Sequence, residues 1–399
     1  MISSESENAN AEFHPAIEKT KNTRMNRSRI SSTPENANAE FHPAIEKTKN
    51  TRMNRSMISI VMMPLFFWAC TQQKGPNVSH ISVELETLRF EQDFFSTDTN
   101  NLSHSLDNLY HKYPGFFSDF STHILGLPPV NDSGEEAMNM IRQFLRDYRP
   151  VYDSANKAFP DLNAQEKQIR EGLRHVKYYF PDYPLPTRLI TFVGPMDAFF
   201  ETSTGKQGDV ITADGLAVGL QLHLGSNFSM YHSEMGLALY PVYISRKFAP
   251  EYIPVNCMKN IMDDIFPDAG ADRPLVEQMV EKGKRIFLLD KLLPSVDDTL
   301  KIGYTGPQLQ GCYQNEGLIW NFFVKNGLVF NNDPSLIKNY IGESPNTPEF
   351  GDGAPGNIGL FVGWQIVKKY QEAYPDISLV ELMQADPKEL FEKSGYRPR

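Results

Sequence analysis

The sequence predicts an α+β fold, a mostly helical single domain built around a small β-sheet. Apolar residues recur at helical spacing through most of the chain after Leu102, which is the mark of helices with one buried face. Strand-like text is confined to residues 81–90, 188–193 and 210–224. No linker composition interrupts residues 81–399, so one domain is expected.

Residues 81–90 set Ile81, Val83, Leu85 and Leu88 against Ser82, Glu84 and Glu86, an alternation that suits a half-buried strand. Residues 102–125 read as helix, with Leu102, Leu106, Leu109 and Tyr110 on one face and an interruption near Pro114-Gly115. A second helical stretch, 134–159, spaces Met138, Ile141, Phe144 and Leu145 for burial. A third, 163–180, stops at Pro181, which cannot continue a helix. Its His175 is expected at the surface or at a cap. Residues 188–193 (RLITFV) form a short apolar strand ended by Gly194-Pro195. Val210-Ile211 and residues 216–224 give two more strands around Ala213-Asp214-Gly215. Asp214 there is a turn residue, bonding locally through its side chain.

Residues 250–266 form a helix with Pro250 near its start; Ile253, Met258, Ile261, Met262 and Ile265 face inward, Asp263 and Asp264 outward. Further helices are expected at 274–293, 306–326, 357–374 and 379–390.

The chain carries 39 basic and 49 acidic side chains, of which nine and seven fall in residues 1–70. The rest therefore holds 30 basic against 42 acidic, a net charge of −12. An acidic body with no basic run excludes nucleic acid as a partner, because phosphate neutralisation by Lys and Arg supplies most of that affinity.

Residues 2–28 and 30–56 are nearly the same text, differing only at Glu5/Thr33 and Ser6/Pro34. Two such copies cannot form a solenoid, which needs three or more stacked units. Residues 1–52 are thus expected to be a disordered or mis-assigned extension. Residues 53–70 (MNRSMISIVMMPLFFWAC) have a positive Arg55, an apolar run from Met57 to Trp68 and the small junction Ala69-Cys70. That is a secretory signal, too short for a membrane span. A cysteine directly after alanine resembles a bacterial lipobox, in which Cys70 is acylated, although Phe67 and Trp68 depart from the usual residues. A plain signal peptide that contains a cysteine is the other reading. On the first, residues 71–80 are a polar tether and 81–399 the globular domain. Cys257 and Cys312 sit in core-facing helical text and are expected as unpaired thiols.

Catalytic motifs are missing. A small sheet followed by long helices suits zincin-like peptidases, but those place two His one helical turn apart with a Glu between them, and no HExxH occurs. His104 and His111 lack that spacing, and His223 and His232 stand nine apart across a loop. No GxSxG is present, and the Gly-rich run 351–356 has Pro355 where a phosphate cradle needs N–H donors. No cofactor and no metal are expected. Arg246 and Glu251 read as a structural pair. Together with Tyr240, Glu316, Trp320 and Trp364 they are also the residues that could line a ligand or partner groove.

The segments DGLAVGLQLHLGSNFSMY, YPVYISRKFAPEYIPVNCMKNIMDDIFP, LVEQMVEKGKRIFLLDKLLP, NEGLIWNFFVKNGLVFNNDP, APGNIGLFVGWQIVKKY and EKSGYRPR run in this order along the chain. They resemble the GldB-like gliding-motility lipoproteins of Bacteroidetes, colinearly over residues 81–399. The resemblance implies an envelope lipoprotein associated with gliding motility, anchored through acylated Cys70, that meets other envelope or gliding-machinery proteins. With no acidic export signal after Cys70, it is expected to face the periplasm. The resemblance also implies distant similarity to zincin-like peptidases, whose HExxH helix would fall on residues 252–266. Cys257, Met258, Lys259 and Met262 stand there and make no zinc site, and Glu281 is left as an orphan third ligand. That departure points to a degenerate zincin-like fold that acts by contact rather than catalysis. The alternatives are a metal-dependent hydrolase using Glu251, Asp263, Glu281 or Glu316 with a histidine, and an envelope ligand-binding module.

Overall fold

The computed structural model describes residues 75–127, 134–202, 205–268, 270 and 272–399, so the repeat, the signal and Cys70 lie outside the described residues. Among the described residues six strands form: β1 (Glu86–Arg89), β2 (Arg188–Phe192), β3 (Phe200–Thr202), β4 (Gly205–Gln207), β5 (Asp209–Thr212) and β6 (Gly215–Gly219). Four of them make one sheet in the order β1-β2-β6-β5. The β1/β2 and β2/β6 pairs are parallel, and β5/β6 is an antiparallel hairpin. Strands β3 and β4 make a separate two-stranded ribbon.

The parallel β1/β2 pair requires a crossover, and every helix between Phe90 and Tyr179 belongs to it. β6 is buried along its whole length and β2 over its last four residues. That explains why both read as continuous apolar runs rather than alternating ones. Phenylalanines from the crossover pack on β2: Phe116 and Phe120 lie 5.5 and 5.8 Å from the Phe192 ring, and Phe90 is edge-on to Phe116 at 4.9 Å. The Ile253–Ile265 helix packs on β5 and β6.

Beyond the sheet, the Leu275–Leu292 helix crosses the Ile358–Ala373 helix at Gly283 and Gly363. A Cβ on Gly283 would meet the Gly363 carbonyl carbon at 2.1 Å, so only glycine permits this approach. Two lysines buried in this region are tied down. Lys284 donates to Glu281 (3.0 Å) and to the carbonyls of Ala385 (2.5 Å) and Met383 (3.3 Å). Lys301 bridges Asp290 and Asp298, and Asp290 also takes the Trp364 indole N–H at 2.8 Å.

The helices expected at 163–180, 250–266, 274–293 and 357–374 form within a few residues of those bounds. Other expectations change. Strand β1 starts at Glu86 rather than 81, because β2 offers partners only from Arg188 on, and Phe90 already begins the Phe90–Phe95 helix. The stretch 306–326 divides at Asn315, and 379–390 divides where Asp386 caps the Pro387–Ser394 helix through the Glu389 N–H. His175 is buried rather than exposed, with Nδ1 bonded 3.0 Å from the Glu171 carbonyl. Asp214 does more than shape its turn. Its carboxylate accepts the Phe116 N–H at 2.7 Å and so caps the Pro114–Asp119 helix, whose own N-cap residue Tyr113 supplies no side-chain bond. Cys257 and Cys312 are buried free thiols, as their helical surroundings suggested.

Candidate functional site

The groove residues named from sequence lie in separate surroundings. Tyr240 is buried, with its hydroxyl donating to the Met196 carbonyl and its ring edge-on to Phe248. Arg246 donates to the Gly303 carbonyl at 2.6 Å, while Glu251 is exposed. No ion pair joins them among the described residues, which corrects the pairing read from sequence. Trp320 packs against Phe391 and Tyr396, and the Tyr396 hydroxyl bonds Glu316 on the Trp320 helix at 2.9 Å. Trp364 is fully buried, with the Lys368 ammonium 3.3 Å from its ring centroid. The structure thus joins Glu316 to Trp320 and leaves Trp364 in the core of the helical layer. Of the carboxylates considered for hydrolysis, Asp263 pairs with Arg285 and Glu281 with Lys284. Among the described residues no group of three His, Cys, Asp or Glu side chains is placed to hold a metal ion.

Two arrangements that the sequence did not disclose stand side by side. The first is a charge network at the end of the sheet. Asp209 opens β5, and His223 follows the turn after β6, so the hairpin brings residues 14 apart together. His223 Nε2 lies 2.9 Å from Asp209 Oδ2, and its Nδ1 lies 3.3 Å from the Ala249 carbonyl. Both ring nitrogens face acceptors, an arrangement that favours the doubly protonated ring. Burial works against that charge, but the adjacent Asp209 carboxylate outweighs it and holds the His223 pKa above the ordinary value. Asp209 also accepts the Gly219 N–H at 3.0 Å and the Asn256 amide at 2.8 Å. Nearby Cys257 is no nucleophile: burial and the Asp209 charge both push its thiol pKa well up.

The second is a cavity of about 230 Å³ between the Ile253–Ile265 helix, the Leu275–Leu292 helix and the start of the Ile358–Ala373 helix. Asn256 belongs to both arrangements, since it lines the cavity and donates to Asp209. The wall carries Lys259, Lys282 and Arg285 against Asp263 and Asp268, with Asn260 and Asn357 between. Arg285 is committed to Asp263 and, at 2.7 Å, to the Phe266 carbonyl. Lys259 and Lys282 have no hydrogen bond or ion pair among the described residues. Burial pushes the Lys259 pKa down to about 8; the Lys247 charge adds to that, and Glu343 and Asp263 oppose it. Asn357 sits in the left-handed region at φ 57°, and its buried Oδ1 has no hydrogen-bond partner.

A third feature lies on the surface. Met230, Met235, Leu237, Leu239 and Val242 are all exposed, Met235 by 71% and Val242 by 56%. They fall within 13 residues around the short Glu234–Leu239 helix.

Over residues 71–398 the chain matches the family model described as gliding motility protein GldB. No curated protein and no solved structure matches it.

Proposed function

The chain belongs to the gliding motility protein GldB family, and from that premise we propose that it is an envelope lipoprotein held to the membrane through acylated Cys70. In this reading it faces the periplasm and serves gliding motility by contact with other envelope or gliding-machinery proteins rather than by catalysis. The observation that carries the reading is where the family match begins. It starts at residue 71, directly after Cys70, and the apolar run from Met57 to Trp68 stands just before that cysteine. A multiply acylated cysteine anchors firmly, since each buried methylene contributes about 0.8 kcal/mol. Among the described residues no helix is long and apolar enough to cross a membrane. The contact role draws support from the exposed methionines and leucines around the Glu234–Leu239 helix, because a monomer seldom leaves so many large apolar side chains to water without a partner.

Intact mass and membrane fractionation of the native protein, beside Cys70→Ala, test the anchor. A mature form that begins at an acylated Cys70 and becomes soluble on substitution is the expected result. An unmodified soluble wild type would overturn it. Cross-linking in intact cells tests the contact role, with Met235→Glu and Leu237→Glu expected to weaken capture of envelope proteins.

A further inference from the structure

We propose that the cavity walled by Lys259 and Lys282 is a binding site for a small organic anion, a short-chain carboxylate or a phosphate monoester. The site is independent of the lipid anchor. Its volume, about 230 Å³, matches that of several water molecules at about 30 Å³ each, which suits a ligand of a few heavy atoms. Charge sets the sign. Asp263 is paired with Arg285, so the two lysines, with no hydrogen bond or ion pair among the described residues, stand against the one Asp268 carboxylate and leave the wall net positive. The groups that face Lys259 are Lys247 and Glu343 from the loops beside it, Asp263 from its own helix, and Lys282 and Arg285 from the Leu275–Leu292 helix. Lys247 and Glu343 bond each other at 2.9 Å and Asp263 pairs with Arg285, so both carboxylates that act on Lys259 are shared with another cation. An added cation would be repelled; an anion would be held by two ammonium groups.

A half-buried ammonium without a partner costs stability, and a methionine would fill the same space without that cost. Two ammonium groups without hydrogen-bond or ion-pair partners beside one open volume are the form of a preorganised ligand site. The remaining wall, Met262, Ile286, Leu289 and Leu360, is apolar and would receive the hydrocarbon part of the ligand. Asn256 connects the site to Asp209, and through it to His223.

The test is calorimetric titration of the full-length protein with butyrate and with inorganic phosphate, and with choline as the cationic control. At least one anion is expected to bind and choline not to. Lys259→Met should weaken binding more than tenfold while raising the melting temperature of the unliganded protein. Butyrate keeps its charge above neutrality, so its affinity should fall as the pH rises through about 8, where Lys259 loses its proton. Lys282→Gln provides a second variant with its own loss of affinity. Cys70→Ala should bind as the wild type does, which separates this site from the anchor. The proposal is overturned if neither anion binds at tens of millimolar, or if both lysine variants bind as tightly as the wild type.

Discussion

Asp209 and His223 form an ion pair that water does not reach, and Asn256 holds the carboxylate from the neighbouring helix. Removing one member of such a pair strands the other charge, at a cost of about 3–5 kcal/mol. Asp209→Asn and His223→Ala are therefore each expected to destabilise the fold by that amount in urea unfolding, with the double variant recovering part of the loss. The pH dependence has a definite sign. His223 has a folded pKa above the ordinary 6.5, so the folded state binds the extra proton. Its contribution is complete below that value and is lost as the pH rises through the folded pKa. Asp209→Asn should flatten this fall in stability on the alkaline side of 6.5. Lys259 has the opposite sign. Its folded pKa of about 8 lies below the ordinary 10.5, so the unfolded chain binds the extra proton and wild-type stability gains as the pH rises between those values. The gain in melting temperature from Lys259→Met should be largest near neutrality and shrink across that window.

Elements meet here through a few positions that tolerate no alternative. Gly283→Ala would drive a methyl into the backbone of Gly363 at 2.1 Å and separate the two longest-packed helices. A loss of at least about 1–3 kcal/mol is expected, whereas Gly306→Ala, with nothing within 4 Å, should be neutral. Asp214→Ala removes the cap that the hairpin lends to the Pro114–Asp119 helix. About 1 kcal/mol should be lost, with amide exchange accelerated first at Phe116. That cap shows what sequence could and could not disclose. Ala213-Asp214-Gly215 reads as a turn because its signals are local, but the partner of the Asp214 side chain lies 98 residues away.

Across the whole molecule, one continuous core joins the phenylalanine-rich crossover, the sheet and the helical layer. Cys257 and Cys312 are buried in it, and burial pushes the Cys312 thiol up to about 12. Both should resist a thiol reagent until global unfolding, so that their labelling follows the same transition as circular dichroism. Labelling at low denaturant would instead show that the helical layer opens by itself.

The sequence by itself determined the helical character, the small sheet, the single domain and the family. Each of these depends on periodicity, composition or the order of residues along the chain, and such signals survive without knowledge of what touches what. Tertiary structure alone decided where the charges go. His223 reads as an isolated histidine until the hairpin sets Asp209 beside it. Trp364 reads as either core or the wall of a groove until its indole N–H meets Asp290, 74 residues away. Lys259 stands out in the sequence only as a residue that makes no zinc site, and its place beside the Leu275–Leu292 helix and a cavity comes from the fold. A side chain's charge state and its lack of a partner depend on neighbours distant in sequence, and no local pattern encodes them.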